Sequence, residues 1–135
     1  MLYYMHPLFC AALERMGLAP KSPTIVTKII FPTLDMGKSI AFYEQVGFEV
    51  QSYDDGYAWV RIDGRELFHL AHVADLDVEA NRAAGYFHVQ DVDDVYRRWS
   101  NYAEPVAALA DQPWGMREFS VKDPSNNLLR LGQNL

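Results

Sequence analysis

Residues 112–133 read QPWGMREFSVKDPSNNLLRLGQ. A loop runs through Trp114 and Gly115. The next run, REFSVKD, alternates apolar and polar residues with period two, the pattern of a half-buried strand. Pro124–Asn127 is turn chemistry, since Asn tolerates positive φ. NLLRLGQ then returns as a second strand. Trp114 stands at the mouth of the first strand and Arg130 in the middle of the second. The functional question is whether these residues close a catalytic site or line a pocket that only binds.

Upstream, GYFHVQ (85–90) reads as a strand, and Val92–Ser100 as a helix with Val92, Val95, Tyr96 and Trp99 inside. PVAAL is a weaker strand before the quoted stretch. The order β-α-β-β-β also occurs earlier in the chain. TIVTKIIF (24–31) is rich in β-branched residues and is expected to be a strand ended by Pro32. Gly37–Val46 reads as a helix capped by Asp35, with Ile40, Phe42, Tyr43 and Val46 as its apolar stripe. FEVQSYDD, YAWVRI and ELFHLAHV follow as strands joined by turns at Asp55-Gly56 and Asp63-Gly64. This organisation predicts an α+β domain over residues 23–135. It would comprise two βαβββ modules at about 24–73 and 84–133, joined by a polar linker at 74–83. Their mixed sheet is expected to curl around a cleft. Residues 1–22 read as an extension, with a short helix over His6–Met16 stopped by Gly17 and Pro20.

The chain has 135 residues, 12 basic and 18 acidic, for a formal net charge of −6. Nucleic-acid binding calls for a basic stripe, and this balance argues against it. An acidic cleft concentrates cations, so a cationic ligand suits the chain. The single cysteine, Cys10, excludes an internal disulfide and a multi-thiolate zinc site. No apolar run reaches the roughly 20 residues of a membrane span. The start of the chain also lacks the basic opening of a signal peptide. The expectation is a cytoplasmic protein.

The two modules resemble the vicinal-oxygen-chelate superfamily, which includes glyoxalase I, extradiol dioxygenases and fosfomycin-resistance enzymes. DMGKSIAFYEQVGFEV (35–50) resembles its first helix and second strand, and FHVQDVDDVY (87–96) the start of its second module. The 112–133 stretch is similar to the C-terminal motif of bleomycin-resistance proteins. In the enzymes, metal ligands are His on the first strand of each module and Glu on the last. The corresponding positions here are Lys28, Phe68, a residue near Ala84, and Arg130. Protonated Lys and Arg donate no lone pair, and Phe and Ala carry no donor atom. The resemblance therefore implies a binder with no cofactor, no metal site and no catalytic residues. It would be an intertwined homodimer that sequesters bleomycin-type drugs, metal-free or copper-loaded, between subunits. The rival readings are a metal-dependent enzyme of the superfamily, with ligands such as His72, His88 or Glu66, and a binder of another cationic or aromatic molecule.

Bleomycin is large and cationic, with a flat tail, so its cleft needs aromatic faces and negative charge. Trp114 is the expected wall, with Gly115 allowing close backbone approach and Met116 beside it. Tyr57 and Trp59 share one strand face, as do Tyr86 and His88. Asp54, Asp55 and Glu118 would supply negative potential, although an exposed turn explains the two aspartates better. Arg130 is expected to pair with Glu118. Asp91, Asp93 and Asp94 need only helix capping to explain them. His69 and His72, three apart on a strand, should face opposite ways.

Overall fold

The computed structural model describes residues 15–17 and 24–135. The expected N-terminal helix, apart from its last residues, lies outside the described residues. The first module comprises β1 (Ile29–Thr33), α1 (Met36–Gln45), β2 (Glu49–Asp54), β3 (Tyr57–Ile62) and β4 (Arg65–His72). The second comprises β5 (Ala84–His88), α2 (Val92–Trp99), β6 (Ala107–Asp111), β7 (Met116–Lys122) and β8 (Leu128–Asn134). Each module forms one four-stranded mixed sheet, in the orders β1-β4-β3-β2 and β5-β8-β7-β6. In each, the first strand lies parallel to the last, and the other pairs are antiparallel.

Local chemistry sets the element ends. The Asp35 side chain accepts from the Lys38 amide and the Asp91 side chain from the Asp94 amide, so both helices start on a carboxylate cap. Asp63 and Gly64 both have positive φ, as a tight two-residue hairpin requires. Asn126 sits at φ 63° in the last turn.

Pro32 does not end the first strand, contrary to the sequence expectation. It lies inside β1 opposite Ala71. β1 is an edge strand hydrogen-bonded to β4 alone, so a missing N–H on its free side breaks no ladder. The segment expected to begin that strand, residues 24–28, is outside the ladder, and Ile25 and Val26 are each 75% exposed.

One face of each sheet packs into a shared core. Phe31, Tyr43, Phe48 and Phe68 make edge-on ring contacts in the first module, as do Tyr96, Trp99 and Phe119 in the second. Phe68–Phe87 at 5.6 Å and Phe48–Trp99 at 5.7 Å join the two. Each fully buried large side chain contributes about 1.5–3 kcal/mol. A polar clamp adds direction. The buried Asp123 carboxylate accepts from the Tyr43 hydroxyl (2.6 Å), from the Asn127 side chain (2.8 Å) and from the Ser125 and Asn127 amides. Asn127 also donates to the Pro32 carbonyl at 2.8 Å. The DPSNN turn of the second module is thus fastened to α1 and β1 of the first.

Candidate ligand-binding site

With Phe31, Ala58, Val60, Phe68 and Leu70 turned to the core, the alternate residues of the first sheet form its open face. Tyr57 and Trp59 stand there on β3, with His69 beside them on β4. The rings of Tyr53 and Tyr57 lie 5.8 and 6.4 Å from Trp59, both steeply inclined to it. Tyr53, Asp54, Gly56, Tyr57 and Trp59 line an open cleft of about 520 Å³. Asp54 accepts from the Gly56 amide at 2.8 Å. Asp55 is exposed in the adjoining turn and is not part of the cleft lining.

The second sheet presents a matching open face. Tyr86 and His88 on β5 lie 5.1 Å apart. Glu118 on β7 is only 5% exposed, because Tyr86 and Trp114 cover it. The Tyr86 hydroxyl donates to Glu118 Oε2 at 2.6 Å and Trp114 Nε1 to the same oxygen at 3.3 Å. Burial first, then the Glu118 hydrogen bond, pushes the Tyr86 phenol up to about 12. Trp114 itself is 63% exposed, a large aromatic held over a carboxylate at the surface. Met116, half-buried, begins the same strand.

Two expectations need correction. Arg130 does not pair with Glu118. The β7–β8 register sets Arg130 opposite Ser120 and places Gly132 opposite Glu118, while Tyr86 and Trp114 take up the carboxylate. A Cβ at Gly115 would meet nothing of the protein within 4 Å. Its φ of +83° is what requires glycine. Asp93 and Asp94 do more than complement the helix start: Asp93 binds Arg117, and Asp94 pairs with Arg97 and Arg98.

Of the positions that the family resemblance sets against metal ligands, Phe68 is buried in the core and Arg130 is exposed on the open face of β8. Lys28 donates to the Glu66 carbonyl, and Ala84 lies opposite Leu128. Among the described residues no three His, Cys, Asp or Glu side chains group so as to hold a metal ion. The residues at these positions do not fit a metal.

Sequence reasoning missed two features of these faces. Gly132 is one: a Cβ there would lie 2.0 Å from the Tyr86 hydroxyl, so its absence makes the seat for that ring. The other is the contact of His69 with Glu66 and Tyr57. Among the described residues, no hydrogen bond or ring contact joins the aromatic groups of the two open faces.

Paired four-stranded sheets, each with a parallel outer strand and an open face carrying aromatic rings and carboxylates, define a protein of the glyoxalase-like class. The chain belongs to the Glyoxalase/Bleomycin resistance protein/Dioxygenase superfamily, whose family model matches residues 25–131. It is 28% identical to a bleomycin resistance protein of Geobacillus stearothermophilus, over 77% of this chain and 92% of that protein. Its fold matches the crystal structure of a bleomycin resistance determinant encoded on transposon Tn5, at TM-score 0.73 and 26% identity, covering 82% of this chain and 98% of that one. A bleomycin-binding protein crystallised with bleomycin matches at TM-score 0.72 and 26% identity, over 83% and 100% of the two chains.

Proposed function

We propose that this protein binds bleomycin-type cationic glycopeptides and confers resistance by sequestering them, with no bond of the drug made or broken. The observation that carries the reading is Trp114 over Glu118. An exposed indole gives a flat face for the drug's planar tail, and the carboxylate beneath it offers Oε1 to a cation, both Tyr86 and Trp114 being bound to Oε2. The Tyr57–Trp59 cleft on the other sheet, with Asp54 at its rim, is the second aromatic wall. The net charge of −6 draws a cation to both. The similarity to bleomycin-resistance and bleomycin-binding proteins over most of the chain supports the same ligand class.

Because one chain keeps its two aromatic walls apart, the reading includes a homodimer in which each cleft takes one wall from each subunit. Residues 23–135 would form the binding domain and residues 1–22 an extension outside it. No cofactor enters the mechanism. The test is a calorimetric titration of chelator-treated protein with metal-free and with copper-loaded bleomycin, followed by mass spectrometry of the recovered drug. Tight, saturable binding with unaltered drug is the expected result. Absence of binding, or a modified drug, would refute sequestration.

A further inference from the structure

The open face of the first sheet carries a hydrogen-bonded chain. His69 Nε2 meets a Glu66 carboxylate oxygen, and His69 Nδ1 meets the Tyr57 hydroxyl at 2.5 Å. A bulge builds it. Cross-strand partners run Val60 with Phe68, then Arg61 with Glu66, which leaves Leu67 as an extra residue in β4. Leu67 and Phe68 both pack toward the core. Glu66 and His69, three residues apart, therefore share the open face, where an unbroken strand would set them on opposite faces.

The chain has a fixed polarity. A carboxylate only accepts. The His69 hydrogen bond, with further help from the Lys28 and Arg61 charges, holds Glu66 below its ordinary range and so ionised. Nε2 must then carry the proton. In a neutral imidazole that leaves Nδ1 as a lone pair, and the Tyr57 hydroxyl must donate into it. The single phenolic proton is thereby committed away from the cleft that Tyr57 lines. A ligand in that cleft that reaches the Tyr57 oxygen meets an atom that can only accept.

We propose that Tyr57 is a fixed hydrogen-bond acceptor in the Tyr53–Trp59 cleft, aimed by His69 and Glu66. The cleft then selects cations bearing an N–H donor, such as primary ammonium or amidinium groups, over donor-free cations of the same shape. The inference rests on the cationic-ligand reading above and adds the feature of the ligand that is recognised. Asp54 supplies charge at the rim, and the rings of Tyr53 and Trp59 supply apolar faces. His69 and Glu66 are positioning residues, since they act through Tyr57.

The test has two arms, and neither needs the drug. Nitrogen-resolved NMR of the free protein reads the His69 tautomer: a proton on Nε2 is expected, and a proton on Nδ1 overturns the proposal. The second arm compares naphthylmethylammonium with its N,N,N-trimethyl analogue at a pH where the NMR arm finds a single proton on the His69 ring. The protein should prefer the first about tenfold, the scale of one hydrogen bond to a charged group. Tyr57→Phe should abolish that preference while still binding the trimethyl probe. His69→Gln, whose amide oxygen still accepts from Tyr57, should keep it, and His69→Leu, which frees the phenolic proton to turn toward the cleft, should weaken it. Equal affinities in the unaltered protein, a preference that survives Tyr57→Phe, or no saturable binding of either probe would overturn the assignment. If bleomycin fails to bind while the preference holds, the drug reading falls and the acceptor stands. If the drug binds and the preference is absent, the reverse is true.

Discussion

Gly132 shows how a residue with no side chain shapes a site. The Tyr86 ring occupies the space its Cβ would take, and the seated ring gives its proton to Glu118. Gly132→Ala should expel the ring. The Tyr86 phenol, held up to about 12, should then fall toward the ordinary tyrosine value of about 10. A spectrophotometric tyrosinate titration would show one late-ionising phenol fewer, and an unchanged titration would contradict the packing argument. Asp123 permits a second prediction. Burial raises its pKa more than its several hydrogen bonds lower it. A carboxyl raised on folding adds stability below its unfolded value, about 3.9, and loses that contribution as pH rises through its folded value. Asp123→Asn removes an acceptor from buried donors at a cost of about 1–3 kcal/mol. The stability gap between the two proteins should therefore be wider at about pH 3 than at about pH 7, as read by urea unfolding at both. A gap that widens with pH would reverse the sign assigned to Asp123. Trp114 and Tyr57 could be picked out in the sequence because large aromatics beside turns stand out there. Gly132 could not, because its role is defined by a ring 46 positions upstream.

The elements themselves were largely legible. Period-two runs, helix caps and Asp-Gly turns are local signals, and they placed the eight strands and two helices described. The failures came where an element departs from its own period. Pro32 reads as a strand stop unless the strand is known to be an edge, which depends on partners far along the chain. The Leu67 bulge is hidden from any count of alternation, because the residues around it are unremarkable strand formers. It also alters the site, by turning Glu66 toward His69. Deleting Leu67 should restore an unbroken ladder, leave Glu66 and His69 two apart and so still together on the open face, and cost about 2–5 kcal/mol for the lost buried leucine. The checks are the His69 imidazole resonances and the unfolding free energy. A folded deletion variant that loses the Glu66–His69 contact would show that Leu67 is not the extra residue of the ladder.

At the scale of the molecule, the two aromatic walls belong to two sheets whose cores are fused and whose open faces are separate. On the reading proposed above, a ligand that needs both walls at once takes one of them from a second copy of the chain. The segment leading into β1 fits that arrangement. Ile25 and Val26 are each 75% exposed, Ile30 is 55% exposed, and β1 is an edge of its sheet. A β-branched run beside an open edge is a ready pairing surface. A charge placed there should oppose assembly while leaving the core of each chain intact. Val26→Asp is therefore expected to shift the protein from twice the chain mass to the chain mass in sedimentation. Bleomycin affinity should fall by tenfold or more, since each monomer would keep only half of each cleft. The unfolding transition of the monomeric variant, followed by circular dichroism, should remain cooperative. A protein that sediments as a monomer before any substitution, yet binds bleomycin tightly, would show that one chain completes the site by itself.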